Sequence, residues 1–75
     1  MSEAGDVELD RNTRPEEAVR MAMERERRAE EFYRRCAEIA VDPGVKQMFE
    51  FLAREESKHF ELLEREYNRY FVKDN

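Results

Sequence analysis

Three residues of this 75-residue chain combine types and spacing that suit metal chemistry: Glu26, Glu56 and His59. Glu56 and His59 stand three apart, so on a helix both project from one side. Carboxylate oxygen together with imidazole nitrogen is a donor set suited to iron, manganese or zinc. Their surroundings single them out. Alternating steps of three and four, the spacing of a buried helix seam, run through Val19, Ala22, Glu26, Ala29, Tyr33, Cys36 and Ala40. The same steps later in the chain run through Val45, Phe49, Leu52, Glu56, His59 and Leu63. Each series is apolar or aromatic except in its middle. A carboxylate in an apolar layer is costly unless its pKa rises and it neutralises, or a cation sits beside it.

The elements that must carry these residues are two helices. Thr13 and Glu16 have capping-box spacing, Pro15 suits a first helical turn, and nothing breaks the pattern until Asp42-Pro43-Gly44. Pro43 ends the first helix at Asp42, and Asp42 is placed to cap the second. The expected layout is an acidic tail over 1–12, helix 1 over about 14–41, a turn over 42–44, helix 2 over about 44–71, and a tail over 73–75. So short a turn makes the helices antiparallel neighbours. Counted from Pro43 at about 1.5 Å per residue, Glu26, Glu56 and His59 lie about 25, 20 and 24 Å from the turn, in nearly one layer.

Composition fits this picture. Two Gly and two Pro are too few for a loop-rich or β-rich fold, and the single Cys36 excludes a disulfide within the chain. With 44% charged residues and a mean hydropathy of −1.04, no membrane span is expected, and no secretory signal opens the chain. A cytoplasmic setting is the expectation. A net charge of −5 argues against a nucleic-acid partner and favours cations. So small a chain usually needs a metal or a partner to complete its core. The fold class expected is all-α: an antiparallel hairpin that pairs with a second copy into a four-helix bundle. A twofold axis across the hairpin superimposes the two polar layers. The homodimer then presents four carboxylates, whose charge two divalent ions balance, so two iron ions per dimer are expected, with manganese or zinc as substitutes.

Other positions take plainer readings. Glu16/Arg20, Glu24/Arg28, Glu30/Arg34 and Glu31/Arg35 are opposite charges four apart on solvated faces. Glu30 reads as a salt bridge to Arg34, with a role in metal access as the alternative. Tyr33, seven residues past Glu26, reads as core packing, with a place behind the metal ligands as the alternative. Cys36 reads as a small buried hydrophobe. Phe32, Phe49, Phe51 and Phe60 read as core or interface, and Tyr67, Tyr70 and Phe71 as an aromatic helix end that packs on a partner's helices.

A Glu on one helix and a Glu-x-x-His on the next resemble half the ligand set of ferritin-like di-iron carboxylate proteins. More narrowly, Glu26-Arg27-Arg28-Ala29-Glu30-Glu31-Phe32-Tyr33, Asp42-Pro43, and the run from Met48 through Glu55-Glu56-Ser57-Lys58-His59 resemble the rubrerythrin branch over about residues 15–71. The resemblance implies metal ligation by Glu26, Glu56 and His59. Rubrerythrins carry two such copies and a rubredoxin-like Cys-x-x-Cys iron site; this chain has one copy and one cysteine. The single copy is similar to encapsulated ferritins, whose two-helix chains complete a ferroxidase site across a dimer, assemble into rings and dock to an encapsulin shell. That similarity implies ferroxidase chemistry on Fe(II) with dioxygen or peroxide, iron storage or detoxification, and an encapsulin shell as a further partner and compartment. The end Tyr70-Phe71-Val72-Lys73-Asp74-Asn75 carries no clear docking peptide of that kind. Two rival readings stand beside it: rubrerythrin-like peroxide reduction with an external electron donor, and a metal-free helical dimerisation module.

Overall fold

The structure, a computed structural model, describes residues 9–72; most of the acidic tail (1–8) and the end 73–75 lie outside the described residues. Two helices account for nearly all of it: α1 over Pro15–Ile39 and α2 over Pro43–Phe71, packed against each other, with no strand among the described residues.

The start of α1 departs from the capping-box expectation. Arg14, not Thr13, occupies the N-cap position, and no side chain caps it. Thr13 is engaged one turn upstream, where its hydroxyl accepts from the Asp10 N–H at 3.0 Å and its own N–H donates to the Asp10 carbonyl at 3.1 Å. Asp10 thus competes for the hydroxyl that a capping box needs. Pro15 meanwhile holds Arg14 extended, at φ −74° and ψ 145°, so the helix opens with proline at its first position. Glu16, freed from capping, reaches across to α2, where its Oε2 accepts from the Tyr67 hydroxyl at 3.0 Å.

At the turn the chemistry is as Asp42-Pro43-Gly44 predicts. Asp42 Oδ1 accepts from the N–H groups of Gly44 at 2.7 Å and Val45 at 3.2 Å, satisfying two free donors of α2. A Cβ on residue 44 would lie 3.2 Å from that oxygen, so glycine leaves room for the cap. α1 has no basic residue in its last turn, and the Lys46 ammonium of α2 serves instead, donating to the Ala37 carbonyl at 2.9 Å.

The hairpin is 13 Å in its thinnest direction, about one helix diameter, so it has two broad faces and little interior. Only Ala37 and Ala53 are fully buried among the described residues, at 6% and 1% exposure. The aromatic Tyr33–Phe49 stack, with centroids 6.1 Å apart, bridges the helices farther along.

The two faces differ in kind. At about 100° per residue, His59 lies about 60° to one side of Glu56 on α2, and Phe60 about 40° to the other. On α1, Phe32 lies about 120° to one side of Glu26, and Arg27 about 100° to the other. Arg27 and Phe60 touch, which places them together on one face. The same count puts Phe32, Met48, Phe51 and Leu62 on the face of His59, and these four are 48–62% exposed. One face of the hairpin is therefore charged and internally paired, while the other exposes most of the large apolar side chains, with Arg25, Glu55 and Glu66 among them by the same count.

Candidate metal centre

The seam places Glu26 near the middle of α1, and Glu56 and His59 near the middle of α2, far from the helix ends. The structure brings all three together. His59 Nδ1 lies 3.5 Å from Glu26 Oε1 and 3.4 Å from Glu56 Oε1, and one ligand-capable atom from each residue falls within 4.8 Å of the other two. Donor atoms about 2.1 Å from a common ion lie roughly 3–4 Å apart, so these separations fit shared coordination.

Burial grades across the group. The Glu56 and Glu26 side chains are 20% and 27% exposed, while the His59 side chain is 55% exposed and opens onto the apolar face. Glu26 Oε1 is buried and makes no hydrogen bond. An acceptor left in that state is costly unless a cation or proton reaches it. The Glu26 carboxyl is accordingly pushed above its usual range. The largest cause is hydrogen bonding with the Glu56 carboxyl, followed by burial and the Glu56 charge, while His59 pulls the other way. A carboxyl held above its usual range beside a second carboxylate and an imidazole is a group whose proton a metal cation would displace.

These donors fit a metal on observation: a buried orphan oxygen, two carboxylates and an imidazole at shared-ligand distances. They supply only one side of a coordination shell.

A comparison with protein-family models finds the rubrerythrin family matching residues 2–69. The chain belongs to the rubrerythrin family. A rubrerythrin-type domain is ferritin-like and implies iron binding in general, and in this member Glu26, Glu56 and His59 are where the sequence pattern and the geometry coincide. Neither the curated proteins nor the solved structures provide a significant match. No helix among the described residues is long and apolar enough to cross a membrane.

Around this rubrerythrin-family site the other singled-out residues fall into place. Tyr33 is half-buried between Phe32, edge-on at 5.6 Å, and Phe49, as packing predicts. Glu30 takes the salt-bridge role: both Nε and an Nη of Arg34 donate to its Oε2, at 3.0 and 2.6 Å. Glu16–Arg20 and Glu24–Arg28 pair at 3.7 and 3.3 Å. Cys36 is a half-buried free thiol. Phe49 and Phe60 are half-buried, whereas Phe32 and Phe51 stand 62% and 53% exposed on the hairpin.

Two features escape the sequence reading. Tyr67 clamps the open end of the hairpin, donating to Glu16 while accepting from Arg20 at 3.3 Å. Arg27 lies over the Phe60 ring, 4.2 Å from its centroid, beside the site. Both are contacts between helices, invisible to spacing along either one.

Proposed function

We propose that Glu26, Glu56 and His59 form half of a di-iron centre that a second copy of the chain completes. The assembled protein then acts on Fe(II) as substrate: two Fe(II) ions give up one electron each, and dioxygen is reduced to peroxide, or peroxide with two protons to two waters. Iron bound as a pair supplies a two-electron donor without releasing one-electron products. The glutamates would balance the cationic charge, while His59 would contribute a neutral donor. The observation that carries this reading is the buried, unpartnered Oε1 of Glu26, 3.5 Å from His59 at the border of an exposed apolar face. A homodimer through that face gathers four carboxylates and two imidazoles in one apolar layer. An encapsulin shell as further partner rests on the likeness to encapsulated ferritins alone.

Native mass spectrometry of the protein titrated anaerobically with Fe(II) tests the reading. The expected result is a dimer or larger with two irons per pair of chains. Glu56→Ala should abolish binding while circular dichroism keeps its helical signal. Iron stoichiometry unchanged in that variant, or a wild-type protein that ignores iron, overturns the assignment and favours the metal-free dimerisation module.

Membership of the rubrerythrin family favours a second reading of the same site, peroxide reduction sustained by an external electron donor. Peroxide turnover that outpaces Fe(II) oxidation once a donor is supplied would select it.

A further inference from the structure

The site has two unlike sides. His59 faces the open, apolar side. The opposite side carries Arg27 lying on Phe60, and these are the immediate chain neighbours of Glu26 and His59. A shallow groove on this charged face is lined by Arg20, Met23, Glu24, Arg27 and Phe60. When a second copy covers the apolar side, the Arg27–Phe60 side is the one still in contact with solvent, at the level of the ligands.

We infer that the Arg27–Phe60 stack is a gate on the cation route to the Glu26–Glu56–His59 layer, an inference that rests on the metal-binding reading above. Three observations carry it. The guanidinium sits over the ring at 4.2 Å, so the contact is made. Arg27 is exposed while Phe60 is half-buried, so the cover is a solvated arm on a fixed seat. Two other guanidiniums on this face are tied elsewhere: Arg20 to Tyr67 and Glu16, and Arg34 to Glu30. Arg27 leans on an aromatic face instead. Such a contact at an exposed site is weak enough to open often, yet while closed it sets a positive charge in the path of a divalent ion. Glu24, which also lines the groove, is paired with Arg28 at 3.3 Å.

A gate and a fixed charge make different predictions. Opening a gate speeds passage in both directions. Deleting a fixed positive charge beside the site speeds loading and slows release, because the bound cation is then held more tightly. The experiment uses the full chain with Co(II) as probe: stopped-flow absorbance for loading, and a chelator challenge for release. Arg27→Gln, which keeps length and loses charge, and Phe60→Leu, which keeps apolar bulk and loses the ring, should each load about threefold to sixfold faster and release faster by a similar factor. Arg27→Lys should fall between them and wild type. Both variants keep the seam intact, and their helical signal checks folding. Unchanged loading in both variants, or faster loading with slower release, overturns the gate. A wild-type chain that takes up no Co(II) or Fe(II) overturns the metal-binding reading itself and the gate with it.

Discussion

The two faces of the hairpin solve the same problem in opposite ways. On the charged face the chain supplies its own partners: Glu30 with Arg34, Arg27 with Phe60, and Tyr67 with Glu16 and Arg20. On the opposite face Phe32, Met48, Phe51 and Leu62 stand 48–62% exposed, with the His59 imidazole among them. A surface of that kind on so small a chain suits the association proposed above. The site lies between the faces, closed by the chain's own side chains on one side and left open on the other. Self-sufficiency on one face and incompleteness on the other are what a half-bundle needs if its chemistry is to exist only after assembly.

The largest effect should come from charging the open face. Phe51→Glu with Leu62→Glu should leave a helical monomer by sedimentation velocity and weaken Fe(II) binding by about 100-fold or more, because glutamate cannot be desolvated in an apolar contact. Glu64→Lys, on the charged face by the same helical count, should alter neither. Equal losses from both changes would break the comparison, since the faces would then contribute alike.

A smaller effect is expected at the clamp. Tyr67→Phe removes one hydroxyl that joins Glu16 of α1 to α2. Loss of this hydroxyl, which donates to Glu16 and accepts from the exposed Arg20, should cost about 0.5–1.5 kcal/mol per hydrogen bond in urea unfolding. Dimerisation and iron stoichiometry should stay as they were, because the clamp belongs to the face that completes itself. A Tyr67→Phe chain that dissociates would show the aromatic helix end to be part of the interface, as the sequence alone suggests for Tyr67, Tyr70 and Phe71.

Much of the fold is legible along the chain because its signals are local. Asp42-Pro43-Gly44 stops one helix and caps the next within a few residues, and two apolar stripes interrupted only at Glu26 and at Glu56/His59 mark the polar layer. The height of each residue above the turn follows from helical rise alone, which is why Glu26 could be placed with the distant pair Glu56 and His59. What spacing does not contain is the rotation of one helix against the other. That rotation decides that Phe60 meets Arg27 and that Tyr67 meets Glu16, and it leaves His59 on the open side. The Thr13 capping box failed for a different reason: Asp10, three residues upstream, offers the same hydroxyl a competing turn.

The finest test of the asymmetry is the proton balance of the layer. Glu26 titrates above 4.5, the usual carboxylate value, when the chain is folded. The folded state therefore holds a proton that the unfolded state releases, and apo stability from this group is fully present below pH 4.5 and fades as pH rises through the folded value. Apo protein should melt slightly higher as pH falls from neutrality toward 5, and Glu26→Gln should remove that increment while leaving the behaviour of the other carboxylates, which differential scanning calorimetry of the pair can separate. Bound Fe(II) or Co(II) needs the same carboxylate ionised, so metal must reverse the sign: the metal-loaded protein should lose stability on acidification over the same range. A metal-loaded melting profile that still rises toward acid would mean that Glu26 keeps its proton with metal present. The orphaned Oε1 would then be a buried acid held neutral by Glu56, not a ligand, and the closed side of the site would shelter a proton where a cation was expected.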